Sequence, residues 1–183
     1  YAPNNEIIII SGRDVNTLEK WLGKLPLNLI AEHGACIKYK NGEWQEHISA
    51  NTGWKEQVRP MMELFVDRCA GSFIEEKKTT LAWHYRNVSS ELGEERAREL
   101  GDNLKFFSGD HPLQILPGNK VVEVKNSEIN KGKAAKLLLK EERYDFILTI
   151  GDDATDEDTF KAMPARAITI RVGSTVSAAN YFV

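Results

Sequence analysis

With 183 residues, 42% hydrophobic and 28% charged, the chain can bury a sizeable core and has the composition of a folded globular protein. A net charge of −3 argues against nucleic acid as the main partner, and no apolar stretch approaches the length that spans a membrane. The two cysteines, Cys36 and Cys69, have neither metal-site nor disulfide-framework spacing, which fits a reducing, cytoplasmic compartment.

The first element is Ile7-Ile-Ile-Ile10, a continuous apolar run of the kind a parallel strand buried on both faces requires. It runs into Ser11-Gly12-Arg13. Asp14 then caps a helix whose Leu18, Trp21, Leu22 and Leu25 recur at helical spacing. A hydroxyl, a glycine and a helix N-terminus after a strand can cradle a phosphate, although such turns also arise for backbone reasons alone.

The texture then changes. Asn41-Gly42 between Ile37–Tyr39 and Trp44–Ile48 predicts a hairpin. A helix follows from about Thr52, with Trp54, Val58, Met61, Phe65 and Cys69 on one face and Pro60 expected to kink it. Ser72–Glu76 and Thr79–Tyr85 read as strands around Lys77-Lys78. Ser89 or Ser90 caps a helix over Glu91–Leu100, and Leu104–Phe107, Gln114–Leu116 and Val121–Val124 read as further strands. The expected organisation is an α/β parallel-sheet core of residues 1–34 and 126–183, with an α+β insertion over residues 35–125.

Beyond the insertion, Asn130-Lys131-Gly132-Lys133 opens a helix predicted over Ala134–Glu141. A lysine there opposes the helix dipole unless an anion faces it. Phe146–Ile150 is the next apolar strand and leads into Gly151. Four carboxylates follow: Asp152, Asp153, Asp156 and Asp158. Clustered acids repel, and oxygen-only ligands at the carboxyl end of a parallel strand suit a hard cation such as Mg²⁺. The plainer alternative is a solvated loop with an acidic helix start.

Taken in order, strand–Ser11, Lys131–helix and strand–Gly151-Asp-Asp153 resemble the second, third and fourth motifs of the haloacid dehalogenase superfamily of phosphotransferases. The resemblance implies a Rossmannoid core with an inserted cap domain. It also implies a serine and a lysine that hold the transferring phosphoryl group, and an acidic motif that holds Mg²⁺. That family's first motif, Asp-x-Asp-x-Thr, has no counterpart here. Asp156-Glu-Asp158-Thr159 comes nearest and follows the wrong element. The sequence is therefore read as lacking the leading βα unit whose aspartate would perform the covalent step.

Within the insertion, Glu75-Glu-Lys77 and Leu81-Ala-Trp-His-Tyr-Arg86 are similar to the trehalose-6-phosphate phosphatase family. Ile30-Ala-Glu-His-Gly34, Val122-Glu-Val124 and the Gly151–Asp158 string extend the likeness over Ile7–Tyr181. What this implies is Mg²⁺-dependent hydrolysis of trehalose 6-phosphate through an aspartyl phosphate. Ser11, Lys131 and Asp152 would be catalytic. Asp152, Asp153 and Asp156 would form the metal site, the latter two binding directly, through water, or only orienting it. Arg13 either reaches substrate or braces its loop. Glu75, Lys77, His84, Arg86 and Glu123 would face the sugar; the alternative is cross-strand ion pairing on a solvated sheet face. Hinges are expected near Gly34 and Asn126. The implied partners are a small sugar phosphate and a fused or associated trehalose-6-phosphate synthase domain. Two other readings are a different sugar-phosphate phosphatase and a non-catalytic regulatory domain attached to a synthase.

Overall fold

The computed structural model describes residues 4–47, 52–109, 111–139 and 144–183. It divides into two compact units: Tyr1–Ser49 with Ile129–Val183, and Ala50–Glu128.

The first unit opens with β1 (Ile8–Ile10), α1 (Val15–Leu22) and β2 (Asn28–Ala31). Asp14 caps α1, accepting from the Thr17 amide at 2.9 Å and the Thr17 hydroxyl at 2.6 Å. β1 and β2 are parallel, with Ile9 opposite Leu29. After a 3₁₀ turn at Glu32–Gly34, the hairpin β3 (Cys36–Lys38) and β4 (Trp44–Glu46) adds antiparallel to β2, in the order β1-β2-β3-β4. Residues 35–47 therefore belong to the core sheet, not to the insertion where the sequence placed them. Two contacts explain this. Ile30 and Ile37 are opposite one another and bury into one cluster with Ala134 and Leu138. In addition, Glu19 of α1 accepts from Lys38 Nζ and Trp44 Nε1, each at 2.8 Å. The chain thus stays in the first unit beyond Gly34. The end of the predicted strand at Ile48 lies outside the described residues.

The same unit resumes with α4 (Lys131–Leu138), β9 (Leu148–Gly151), α5 (Asp156–Ala162), β10 (Ile168–Arg171) and β11 (Tyr181–Phe182). The predicted helix end at Glu141 is outside the described residues. β9, β10 and β11 form a second, parallel sheet with β10 in the middle. Among the described residues, β1 pairs only with β2, and β9 only with β10. The apolar runs expected to be buried on both faces are therefore edges. Phe146 is 63% exposed and Ile150 58%. A groove of about 210 Å³ runs between the two edges, lined by Ile8 and Ile10 on one side and Leu148 and Ile150 on the other. Tyr144 donates to Glu6 beside it.

The second unit comprises α2 (Trp54–Arg68), β5 (Phe73–Glu76), β6 (Thr80–His84), α3 (Ser90–Ser108), β7 (Leu113–Gly118) and β8 (Val121–Asn126). Its sheet is antiparallel throughout, in the order β5-β6-β8-β7. Strand alternation puts Leu81, Trp83, Val122 and Val124 on one face, packed on Val58, Met62 and Phe65 of α2 and Leu100 and Leu104 of α3. Burial of each such side chain stabilises by roughly 1.5–3 kcal/mol. Two expectations change. Met62, not Met61, is the fully buried methionine, and Pro60 lies inside α2. Leu104–Phe107 is the last turn of α3, not a strand, because Leu100 and Leu104 continue a helical stripe against the sheet.

Candidate functional site

Three chain segments of the first unit carry the candidate residues, and the second and third meet through the Lys131–Asp156 pair. The first is the loop after β1. The Ser11 amide continues the parallel ladder onto the Ile30 carbonyl at 3.0 Å, and Ser11 Oγ accepts from the Arg13 amide at 3.2 Å. The hydroxyl proton of Ser11 is left to donate elsewhere. The Arg13 guanidinium lies 4.6 Å from the ring centroid of Trp21 on α1.

The second segment is the start of α4. Asn130 caps it, accepting from the Lys133 amide at 2.9 Å. Lys131, the first helical residue, is buried, and its Nζ donates to Asp156 Oδ1 at 2.8 Å. Gly132 lets α4 approach α5: a Cβ there would fall 2.7 Å from the carbonyl carbon of Asp158 and nearer still to its oxygen.

The third segment is the acidic loop after β9. Asp156 is its hub. While Oδ1 takes the Lys131 ammonium, Oδ2 accepts from the amides of Asp152 at 3.0 Å and Asp153 at 2.9 Å. Asp153 is turned into its own loop, with Oδ1 accepting from the Ala154 amide at 2.7 Å. Asp152 is exposed, and its carboxylate meets no donor among the described residues. Asp158 sits within α5.

Sequence reasoning assigned no role to two residues here. Arg171, at the end of β10 and buried, donates to the Asp153 carbonyl at 2.6 Å and lies 3.7 Å from Glu157. An arginine at the end of the strand next to the acidic one was the available signal. His33, within the Ile30–Gly34 string, packs on Gly12, a contact that only the geometry reveals.

In the second unit, Glu75, Ala82 and Glu123 stand opposite one another across β5, β6 and β8, so they share a sheet face with His84. This face is the reverse of the one that packs on α2 and α3. Glu75 and His84 are joined at 2.8 Å, and Phe73 stacks on the His84 ring at 4.8 Å. Lys77 follows β5 in the turn, its amide on the Thr80 carbonyl at 3.1 Å, and Arg86 is exposed beyond the end of β6. Glu76, one residue out of phase, is held on the helix side by Lys55 and Arg59.

The family model described as trehalose-phosphatase matches residues 1–182. The alpha,alpha-trehalose-phosphate synthase (UDP-forming) B of Dictyostelium discoideum is 45% identical over 171 residues, covering 92% of this chain and 22% of that protein. A trehalose-phosphatase of Saccharomyces cerevisiae is 40% identical over 184 residues, covering 88% and 20% respectively. Among solved structures, the C-terminal domain of Candida albicans trehalose-6-phosphate phosphatase superposes with a TM-score of 0.89 at 31% identity. That match covers 98% of this chain and 73% of the other. The chain spans about a fifth of the length of the two curated relatives.

Proposed function

The chain belongs to the trehalose-phosphatase family, and from that premise we propose that it forms the phosphoryl-handling core and substrate cap of an enzyme that hydrolyses trehalose 6-phosphate. The observation that carries the reading is the buried Lys131 ammonium, anchored by Asp156 at the carboxyl end of β9. One of its three N–H groups is committed to Asp156, and the others remain to neutralise a phosphoryl oxygen. Ser11 donates its O–H to another phosphoryl oxygen. A carboxylate on an extended segment seated in the groove between the β1 and β9 edges would perform the covalent step.

The acidic loop fits a hard cation. Mg²⁺ is held by one or two carboxylates together with substrate phosphate, so it does not need three protein carboxylates. Among the described residues no three His, Cys, Asp or Glu come together as a metal cage, so the protein's share of the coordination would be one or two carboxylates. Asp152 would hold the ion, with Asp153 beside it. Asp156 already carries the Lys131 ammonium and both loop amides, so in this reading its place is to orient the loop and Lys131 rather than to ligate. Bound there, Mg²⁺ would offset charge on the phosphoryl oxygens.

Sugar hydroxyls are matched by the open sheet face of Glu75, His84 and Glu123, flanked by Lys77 and Arg86. The protein is cytoplasmic in this reading, consistent with two buried cysteines that form no disulfide among the described residues. A synthase domain in the same protein is the expected partner, since a relative named as a synthase is about five times the length of the match. The test is phosphate release by the full-length protein from trehalose 6-phosphate, glucose 6-phosphate and sucrose 6-phosphate, with and without Mg²⁺. Release specific to the trehalose ester supports the reading. Release from another ester alone changes the substrate, and none from a folded protein points to a regulatory domain.

A further inference from the structure

The turn that ends β2 is unusual. Glu32 has φ 47° and His33 φ 58°, two successive left-handed residues that are not glycine, followed by Gly34 at φ 120°. Such conformations are uncommon for side-chain-bearing residues and usually fall to Gly, Asn or Asp. A hairpin tip would normally expose its polar side chains, yet Glu32 is 3% exposed and His33 5%. Something other than chain reversal selects these residues.

Their contacts indicate what. The Glu32 amide donates to the Arg13 carbonyl at 2.9 Å and the His33 amide to the Ser11 carbonyl at 3.0 Å, so the turn grips both carbonyls flanking Gly12. The His33 ring covers Gly12 itself: a Cβ on Gly12 would stand 2.5 Å from Nε2 and 3.2 Å from Nδ1. On its other side the turn reaches α4, where a Cβ on Gly34 would meet the Asn130 carbonyl oxygen and the Ala134 Cβ, each at 3.0 Å. One turn thus touches the serine loop and the helix that begins with Lys131.

We propose that Glu32–His33–Gly34 is a positioning clasp: the His33 ring and the two left-handed amides hold Ser11-Gly12-Arg13 in its anion-binding shape and in register with Lys131. His33 is a positioning residue and touches no substrate. The clasp rests on the reading that Ser11 and Lys131 hold a phosphoryl group.

The test uses the full-length protein with inorganic phosphate as probe, comparing His33→Gly, His33→Asn, Gly12→Ala and the double variant Gly12→Ala/His33→Gly. Glycine relaxes the left-handed backbone but vacates a buried ring, so the two effects on stability oppose each other. Phosphate binding is therefore compared at a temperature where each variant is shown to be folded. His33→Gly should weaken it by about tenfold, the usual scale for losing a group that orients a ligating one. His33→Asn, which tolerates the left-handed conformation, should fall between. Gly12→Ala should weaken binding similarly, and the double variant should regain part of the loss because the methyl takes the vacated ring space. Amide exchange at positions 32 and 33 is read alongside and should quicken in His33→Gly. Parent-like phosphate affinity in a folded His33→Gly overturns the clasp. If the parent binds no phosphate, the reading of Ser11 and Lys131 fails instead. Amide exchange then decides the clasp alone: quickened exchange supports it and unchanged exchange overturns it.

Discussion

Replacing Asp156 with alanine should be among the most damaging single changes in the first unit. Lys131 is 6% exposed at its side chain and Asp156 15%, with 2.8 Å between Nζ and Oδ1, so this is a desolvated ion pair rather than a surface one. Removing the carboxylate leaves a buried ammonium without a counter-charge, which costs about 3–5 kcal/mol. The amides of Asp152 and Asp153 also lose their acceptor, but both residues are exposed and water replaces it at little cost. For a chain of this size each kcal/mol moves the midpoint by about 2–4 °C, so Asp156→Ala should melt about 6–20 °C lower. Asp156→Asn keeps one acceptor oxygen and should lose less. Lys131→Met should lose less again, because the remaining carboxylate keeps its two backbone donors. Urea unfolding followed by far-UV circular dichroism gives the three values. A loss under about 1 kcal/mol for Asp156→Ala would place the pair in the range of exposed ion pairs and refute the buried anchor.

Other consequences are checked in the same unfolding experiments. Gly132→Ala drives a methyl into the Asp158 backbone carbonyl, which cannot swing aside, so α4 and α5 must part at a cost of about 1–3 kcal/mol. A parent-like midpoint would show that the helices are not in contact there. Hydrogen bonds from the Thr17 hydroxyl and amide hold the Asp14 carboxyl below its ordinary pKa. A lowered folded-state pKa means a contribution fully present above the unfolded value and lost as pH falls through the folded one. Asp14→Ala should therefore cost about 0.5–2 kcal/mol at neutral pH, the usual scale for losing an N-cap. That difference should shrink below about pH 4. A difference that grows on acidification would contradict the cap.

Much of this architecture is legible in local sequence because local chemistry determines it. Asp14 needs only Thr17 three residues on, Asn41-Gly42 needs only its two flanks, and Leu81, Trp83 and Tyr85 declare their face by alternation. What local pattern does not carry is the partner of an edge. The residue 36–46 hairpin announces itself as a hairpin, but its attachment to β2 depends on Ile37 meeting Ile30 and on Lys38 and Trp44 reaching Glu19. The Ile7–Ile10 run reads as a buried strand because its composition suits pairing on both sides, and among the described residues only β2 pairs with it. The roles within the acidic loop divide in a similar way. Four aspartates look alike in sequence, and only the approach of Lys131 from another helix singles out Asp156 as the anchor.

The most direct test of the central claim is phosphate release from trehalose 6-phosphate by the full-length protein carrying Lys131→Met, measured as kcat and KM against the parent. A cation that stabilises charge on the transferring phosphoryl group is worth on the order of 100-fold or more in kcat, so the variant should lose at least that much while remaining folded. A folded Lys131→Met enzyme that turns over at the parent rate would show that the serine loop, the lysine helix and the acidic loop do not form a phosphoryl site.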